Sequence, residues 1–217
     1  MQYRKLLEQN EKNMVERKIR SYSDNEALIY ERRKHIAECA LKLFLNQGYK
    51  ATTTRQIARE CGMSEANVYR YIGCKDDILH LIATQKSSLI DMLRSYLHKL
   101  GNVSKAEALR ACIAEYFRTQ DVASDYLFFF NREIGYFSRE DRRTLLKGQT
   151  EVQSFFEQLL QEGVNAGEFQ VDEPVLLSHN ILMAGHDWVV RGWFLRRHYT
   201  LKEYTEKQTQ MILRLIL

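Results

Sequence analysis

Proline and glycine are scarce in this chain, which has one proline and ten glycines among its 217 residues. A β-sandwich or β-barrel needs a turn about every 8–12 residues, and those turns rely on these two residue types. The scarcity therefore excludes an all-β fold and predicts an all-α chain built from long helices.

Long apolar runs are also missing. Runs such as residues 127–130 are far shorter than the roughly 20 apolar residues of a membrane-spanning helix. The first residues are charged and include no apolar stretch of the kind found in secretory signals. We therefore expect a cytoplasmic protein with no membrane partner.

Motifs of catalysis and metal binding are absent as well. The sequence has no GxGxxG, Walker, GxSxG or HExxH motif. Its four cysteines form no CxxC pair and no ligand pattern with histidine, so we interpret them as small hydrophobic residues or free thiols in a reducing compartment. We predict no metal, no cofactor and no enzymatic activity; a helical enzyme without a recognisable motif is a distant alternative.

The positive charge is concentrated in one part of the chain. Residues 31–75 hold 9 Lys/Arg against 4 Asp/Glu, whereas residues 76–217 hold 17 against 19. This asymmetry indicates an anionic partner, either nucleic acid or a membrane surface. A membrane surface is disfavoured because the basic residues alternate with helix caps and turns rather than lining one amphipathic face.

Helix-start patterns punctuate the same region. Ser23 and Glu26 have the spacing of a capping box, in which each side chain pairs with the other's free backbone N–H, and predict a first helix that Gly48 ends. Thr53 and Gln56 repeat this spacing at the start of a second helix.

A third helix follows after a short turn. Gly62 is a residue that tolerates positive φ in this turn, and Ser64 can cap the next segment. Two short helices joined by about four residues that include glycine predict a helix-turn-helix. Apolar residues at helical spacing then predict one long amphipathic helix over about residues 78–100.

Helices continue through the remaining sequence. Ser104, Ser138 and Thr200 open three of them, and Pro174 opens a segment that is apolar nearly all round to about residue 198. We divide the chain into a helical or disordered extension (1–22), a helix-turn-helix domain (23–75) and a larger helical domain (76–217).

In a helix-turn-helix the second helix lies in the major groove, with its first residues facing base edges. Asn67 can pair with adenine and Glu65 can accept from cytosine, so these two residues are candidates for base recognition. Thr53 and Ser64 would cap helices even without DNA, and Tyr69 fits a half-buried core position. The predicted DNA-binding residues are Thr52, Thr53, Thr54, Arg55, Glu65, Ala66, Asn67, Tyr69, Arg70, Tyr71 and Lys75.

Residues 48–58 and 61–72, with Lys75 and Leu79, resemble the tetracycline-repressor (TetR) family of bacterial transcription regulators. The resemblance implies a ligand-responsive regulator, most often a repressor, that binds a palindromic operator in double-stranded DNA. It also implies a homodimer that forms through the last two helices. Ile72 replaces the phenylalanine usual in the family, and Gly73-Cys74 replaces a polar pair.

The resemblance also assigns roles to individual residues. It implies phosphate contacts from one group of side chains: Thr53, Arg55, Tyr69, Tyr71 and Lys75. It places another group in the groove: Glu65, Ala66, Asn67 and Tyr71.

The effector is expected to be a small apolar molecule. Residues 185–194 are similar to the late helix of family members that respond to acyl-CoA thioesters, so acyl-CoA is the leading hypothesis; a multidrug- or aromatic-compound-sensing regulator is the alternative. The candidate ligand contacts combine aromatic and charged side chains. They are Tyr96, Tyr126, Phe129, Phe130, Arg132, His186, Trp188 and Arg191. The aromatic residues also fit an ordinary core, and His186 fits an interior or interface histidine.

Overall fold

The computed structural model describes Ile19 and residues 25–84 and 89–217. Within these ranges the regular structure is helical and includes no strand, which confirms the all-α prediction. The prediction for residues 1–22 lies outside the described residues, apart from Ile19, whose carbonyl accepts a hydrogen bond of 2.8 Å from Arg33 Nη2.

In residues 25–84 the structure describes four helices: α1 (Glu26–Gln47), α2 (Thr54–Glu60), α3 (Glu65–Tyr69) and α4 (Lys75–Thr84). The cap of α1 differs from the predicted Ser23, because Asn25 Oδ1 accepts from the backbone N–H of Leu28 at 3.0 Å and so fixes the helix start.

The second part contains seven more helices and one 3₁₀ turn. Their bounds are α5 Leu89–Leu100, α6 Lys105–Val122, α7 Ser124–Glu133, the 3₁₀ turn Ile134–Tyr136, α8 Arg139–Asn165, α9 Pro174–Val190, α10 Gly192–Leu195 and α11 Leu201–Ile216. The predicted starts at Ser104, Ser138 and Thr200 are confirmed, since each side chain accepts from the backbone N–H three residues later.

Two predicted helices have different bounds. The segment that opens at Pro174 is not one helix to residue 198, because α9 ends at Val190 and Arg191 takes a non-helical conformation before the short α10. The predicted helix over residues 78–100 corresponds to α4 and α5, between which residues 85–88 lie outside the described ranges.

The N-terminal core joins α1–α4 to α7. Ile36, Phe44, Ile57 and Ile78 are fully buried in it, and Phe129 from α7 packs among them. Helix α4, which our division assigned to the C-terminal domain, therefore belongs to this core by its packing.

A second core lies between α5, α6, α8, α9 and α11. Leu109, Phe117, Phe156 and Ile181 are fully buried there. In the part of the chain that the structure describes, no helix combines the length and apolar character needed to cross a membrane.

Candidate nucleic-acid interface

Helices α2 and α3 start at well-formed caps. Thr53 and Gln56 make the predicted reciprocal capping box, with the Thr53 backbone N–H donating to Gln56 Oε1 at 2.8 Å. Ser64 Oγ accepts from the backbone N–H of Asn67 at 3.1 Å. Gly62 has a φ of 65°, the left-handed conformation that glycine tolerates best, and forms the turn between the helices. The predicted helix-turn-helix is confirmed.

A hydrogen-bond network fixes α3 against the start of α2. Thr54 Oγ1 donates to Glu65 Oε1 at 2.9 Å, and the hydroxyl of Tyr69 lies 3.0 Å from the same Thr54 oxygen. Because the threonine hydroxyl has one hydrogen, Tyr69 is the donor in the second bond. The network orients the Glu65 carboxylate at the first position of α3.

Lys75 fixes the start of α4 to the turn that precedes α2. Its ammonium donates to the carbonyls of Tyr49 at 3.0 Å and Thr52 at 2.9 Å, and it lies 4.2 Å from the centre of the Tyr49 ring. The Tyr49 hydroxyl in turn donates to Asp76. The ammonium has three N–H bonds, so one is available to a further acceptor.

The predicted DNA-binding residues differ in exposure. Six are exposed: Thr53, Arg55, Glu65, Ala66, Tyr69 and Arg70. Thr54, Asn67 and Lys75 are half-buried. Tyr69 is 41% exposed, so it is not the core residue that its aromatic ring also suggested.

Thr52 and Tyr71 are buried instead. The Thr52 hydroxyl donates to the carbonyl of Gly48 at 2.8 Å and accepts from Gln47 Nε2 at 3.1 Å, so it shapes the turn after α1. Only 1% of Thr52 and 8% of Tyr71 are accessible. The positions of these two side chains do not support the predicted DNA contacts.

Two structural residues of this unit were missed in the sequence. Asp77 Oδ2 accepts from the backbone N–H groups of Gly73 at 2.8 Å and Cys74 at 3.0 Å and so caps α4. A Cβ at Gly73 would lie 3.0 Å from this carboxylate, a tight contact. Arg33 Nε donates to the carbonyl of Tyr71 at 2.9 Å, and burial lowers the pKa of Arg33 while Asp77 opposes this shift.

Four predicted ligand-contacting residues lie on α7 at the N-terminal core: Phe129 and Phe130 are buried in it, Tyr126 is half-buried against it and Arg132 is exposed at its edge. Phe129 stacks on Phe44 with ring centres 5.5 Å apart, and Phe130 is buried beside it. The Tyr126 hydroxyl donates to the carbonyl of Ile82 at 2.7 Å. Arg132 donates to the carbonyls of Phe44 and, at 3.0 Å, Leu45, in the last turn of α1. These side chains join α7 to α1 and α4.

The other four candidates lie on α5, on α9 and at its end. Trp188 is buried, and its Nε1 donates to Asp121 at 2.7 Å. Tyr96 and His186 are half-buried, whereas Arg191 is exposed. The described contacts do not bring Trp188 together with the group around Phe129, and a ligand-binding role for all eight residues stays a prediction.

Two polar atoms are isolated inside the second core. Among the described residues, Gln120 Oε1 on α6 and Thr209 Oγ1 on α11 are buried and have no hydrogen-bond partner. Buried polar groups are normally paired, so these two atoms are exceptions within the apolar core. Helices α6 and α11 pack directly against each other.

One group of side chains has the chemistry of metal ligands. His35, Cys39 and Cys61 place their ligand atoms within 4.8 Å of one another. The expectation of no metal site overlooked this group. The four-residue spacing of His35 and Cys39 is visible in the sequence, but their proximity to Cys61 depends on the packing of α1 against α2.

Comparisons with known proteins match both parts of the chain. Residues 36–82 match the family model described as bacterial regulatory proteins, tetR family, and residues 102–216 match the tetracyclin repressor-like C-terminal domain. The transcriptional regulator HbdR of Aromatoleum sp. (strain CIB) is 31% identical over 195 residues, which cover 87% of this chain and 82% of HbdR.

Solved structures share the fold. AibR, in complex with isovaleryl coenzyme A and operator DNA, superposes with a TM-score of 0.65 at 20% identity, covering 83% of this chain and 97% of AibR. FadR of Bacillus subtilis, in complex with stearoyl-CoA, superposes with a TM-score of 0.63 at 18% identity, covering 84% of this chain and 96% of FadR.

Proposed function

Because the chain belongs to the TetR family of transcriptional regulators, we propose that it represses transcription as an operator-bound homodimer that an acyl-CoA thioester releases. The family consists of ligand-responsive DNA-binding regulators rather than enzymes. The N-terminal match spans most of α1–α4, and the C-terminal match spans α6–α11.

Operator recognition is assigned to α3 and its surroundings. Glu65, Ala66 and Asn67 lie at the start of α3, where a recognition helix meets base edges. In this proposal the Glu65 carboxylate, held by Thr54, contacts a base, and the third N–H bond of Lys75 binds a phosphate. The other exposed residues among the predicted DNA contacts would bind further phosphates. They are Thr53, Arg55, Tyr69 and Arg70.

Dimerisation is assigned to α9 and α11, with α10 between them. These helices carry large apolar side chains that are exposed in the single chain: Val175, Leu176, Met183, Val190, Trp193, Phe194, Met211 and Leu215. Trp193 is 70% exposed and Leu215 is 76% exposed. An apolar surface of this kind is typical of a protein interface, and a two-fold dimer would present two copies of α3 to a palindrome.

The buried polar atoms Gln120 Oε1 and Thr209 Oγ1 are the observation that carries the effector assignment. An acyl-CoA combines an apolar chain with the amide groups of its pantetheine arm and a thioester carbonyl. Gln120 Oε1 would accept from an amide N–H, and the Thr209 hydroxyl would donate to a carbonyl, while the apolar core holds the chain. The acyl-CoA ligands of AibR and FadR support this class of effector.

The effector would act on DNA binding through contacts between the two cores. His80 of α4, in the N-terminal core, pairs with Asp141 of α8, the helix whose later residues lie in the second core. If the acyl-CoA prefers a conformer in which this contact repositions α1–α4, acyl-CoA binding lowers the affinity of the protein for the operator. By linkage, operator binding lowers the affinity for acyl-CoA by the same factor.

The test begins with selection of the operator from random duplexes, followed by fluorescence anisotropy with acyl-CoAs of short, long and aromatic acyl groups. We expect at least one thioester to raise the operator Kd about tenfold or more, equivalent to 1.4 kcal/mol of coupling. Free coenzyme A and free fatty acids should have little effect. Intact DNA binding that no acyl-CoA changes would refute the effector assignment.

Thr209→Val is the matched variant because it keeps the shape of the side chain and removes its hydroxyl. It should weaken the release of the operator by acyl-CoA and leave the operator Kd measured without acyl-CoA unchanged. An unchanged response to acyl-CoA in both Thr209→Val and Gln120→Leu would exclude these atoms from the effector site.

A further inference from the structure

His35, Cys39 and Cys61 form a cluster at the junction of α1 and the helix-turn-helix. His35 Nε2 lies 3.8 Å from Cys39 Sγ and 3.2 Å from the carbonyl oxygen of Cys61. The two cysteines are buried, whereas His35 is exposed. The cluster is therefore open to solvent on the side of the imidazole.

Helix packing holds these three residues in place, in addition to the contact of His35 Nε2 with the Cys61 carbonyl. His35 and Cys39 are four residues apart, so they lie on one face of α1. Cys61 is the C-cap of α2, and its backbone N–H donates to the carbonyl of Ile57 at 2.9 Å. Buried neighbours such as Ile36 and Ile57 lock both helices in the N-terminal core.

We propose that Cys39 Sγ, Cys61 Sγ and His35 Nε2 bind a thiophilic cation of the Zn²⁺ type, with solvent as the fourth ligand. Zn–S bonds of about 2.3 Å and Zn–N bonds of about 2.0–2.1 Å in a tetrahedron require ligand atoms roughly 3.6–3.8 Å apart. The 3.8 Å between His35 Nε2 and Cys39 Sγ matches this requirement, and all three atoms lie within 4.8 Å.

The donor set selects the metal class. Two thiols and one imidazole suit Zn²⁺ and similar borderline-soft cations, whereas Mg²⁺ and Ca²⁺ need oxygen ligands. The bound ion would connect α1 to the residue that begins the turn before α3. A metal that binds the folded chain and not the unfolded one stabilises the folded domain, so the ion would act as a clamp on the DNA-binding unit.

The experiment uses the full chain, reduced and freed of metal, and titrates it with Co²⁺ as a spectroscopic substitute for Zn²⁺. We expect one equivalent to bind, with charge-transfer absorption from thiolate ligands and the d–d bands of tetrahedral Co²⁺. Added Zn²⁺ should displace the Co²⁺ and remove both sets of bands. Absence of thiolate charge-transfer bands in the wild-type chain would overturn the proposal.

Variants separate this cluster from the other thiols. His35→Gln changes an exposed side chain and should weaken Co²⁺ binding at least tenfold, with an unchanged circular dichroism spectrum. Cys61→Ser should weaken the charge-transfer absorption. The control Cys74→Ser removes an exposed cysteine outside the cluster and should bind Co²⁺ like the wild type. Equal Co²⁺ binding by all three variants would show that the metal binds elsewhere.

Thermal unfolding supplies a second measurement. Zn²⁺ should raise the Tm of the wild type and of Cys74→Ser, and it should have little effect on His35→Gln. No metal uptake by a sample in which thiol labelling and peptide mass mapping show Cys39 and Cys61 to be reduced would refute the metal site. None of these measurements uses DNA or acyl-CoA, so their outcome is independent of the proposed function.

Discussion

The Nδ1 atom of His80 lies 2.6 Å from a carboxylate oxygen of Asp141, and this contact joins α4 to the first turn of α8. Only 1% of the Asp141 side chain is exposed, and its second oxygen accepts from Ser138 Oγ at 2.7 Å. Helix α4 packs in the N-terminal core, whereas α8 contributes Phe156 and its neighbours to the second core. When one core moves relative to the other, this contact must therefore either move with them or break.

Asp141→Asn should destabilise the chain by about 1–3 kcal/mol, because one of the two hydrogen-bond partners of the buried Asp141 side chain then faces an amide N–H instead of an oxygen acceptor. Urea denaturation measures the loss. Glu151→Gln is the control, since it makes the same chemical change at an exposed position of α8 and should stay within about 0.5 kcal/mol of the wild type. Equal stability of the two variants would show that the His80 contact contributes little.

Gly185 and Gly148 should respond in opposite directions to alanine. A Cβ at Gly185 would lie 2.6 Å from Cε1 of Tyr116, whose ring is fully buried and unable to move aside. We expect Gly185→Ala to cost about 1–3 kcal/mol through overpacking. Gly148 lies within α8 with open space around its Cβ position, so Gly148→Ala should stabilise by about 0.5–1 kcal/mol. Chemical denaturation of both variants tests the contrast, and a loss at Gly148 would contradict it.

The features predicted correctly from sequence are local ones. An N-cap or a capping box joins residues three positions apart, so the starts at Thr53, Ser64, Ser104, Ser138 and Thr200 required no knowledge of the tertiary structure. The cap of α1 was predicted wrongly because two residues close in sequence both suit an N-cap. Asn25 is as good an N-cap as Ser23.

Properties that depend on packing between helices were not predictable in this way. Periodicity shows that the Phe129 face of α7 is buried, but it does not show that this face packs on α1. The same limit explains why Thr52 was predicted to contact DNA and why Cys61 was not paired with His35. In each case the partner belongs to another helix or to the turn after one.

His186 should make stability depend on pH. Burial lowers its pKa below the ordinary value of 6.5; Asp187 opposes the shift and His179 adds to it. The unfolded chain therefore binds a proton at His186 more readily than the folded chain does. Stability from the neutral imidazole is complete above pH 6.5 and decreases as the pH falls through 6.5 toward the folded-state pKa.

His186→Gln should accordingly lose less stability than the wild type between about pH 7.5 and pH 5.5. Denaturation curves at both pH values measure the difference. His98→Gln, at an exposed position of α5, is the control and should follow the wild type. Identical pH dependence in wild type and His186→Gln would contradict the assignment.

Asn67→Ala and Arg70→Ala should change DNA binding in different ways. Loss of the amide at Asn67 should alter preference at one base pair by about 1–3 kcal/mol, since the Ser64 cap uses only the backbone N–H of Asn67. Loss of a phosphate contact at Arg70 should weaken binding to all sequences. It should also reduce the slope of log Kd against log salt concentration by about one. Anisotropy titrations on a set of single-base operator variants at several salt concentrations distinguish the two effects. An unchanged ranking of operators for Asn67→Ala would exclude it from base recognition.

In the proposed dimer, Leu215→Glu should separate the subunits and leave a folded monomer. Leu215 is 76% exposed in the single chain, so a charge there does not disturb the core of the subunit, but it would be buried without a partner in an interface formed by α11. Gln210→Glu introduces the same charge change at another exposed position of α11 and should remain dimeric. Sedimentation velocity at micromolar concentration separates the two species. A dimeric Leu215→Glu variant would move the interface away from this face, and a monomeric wild-type chain would remove the two-fold pairing on which recognition of a palindrome depends.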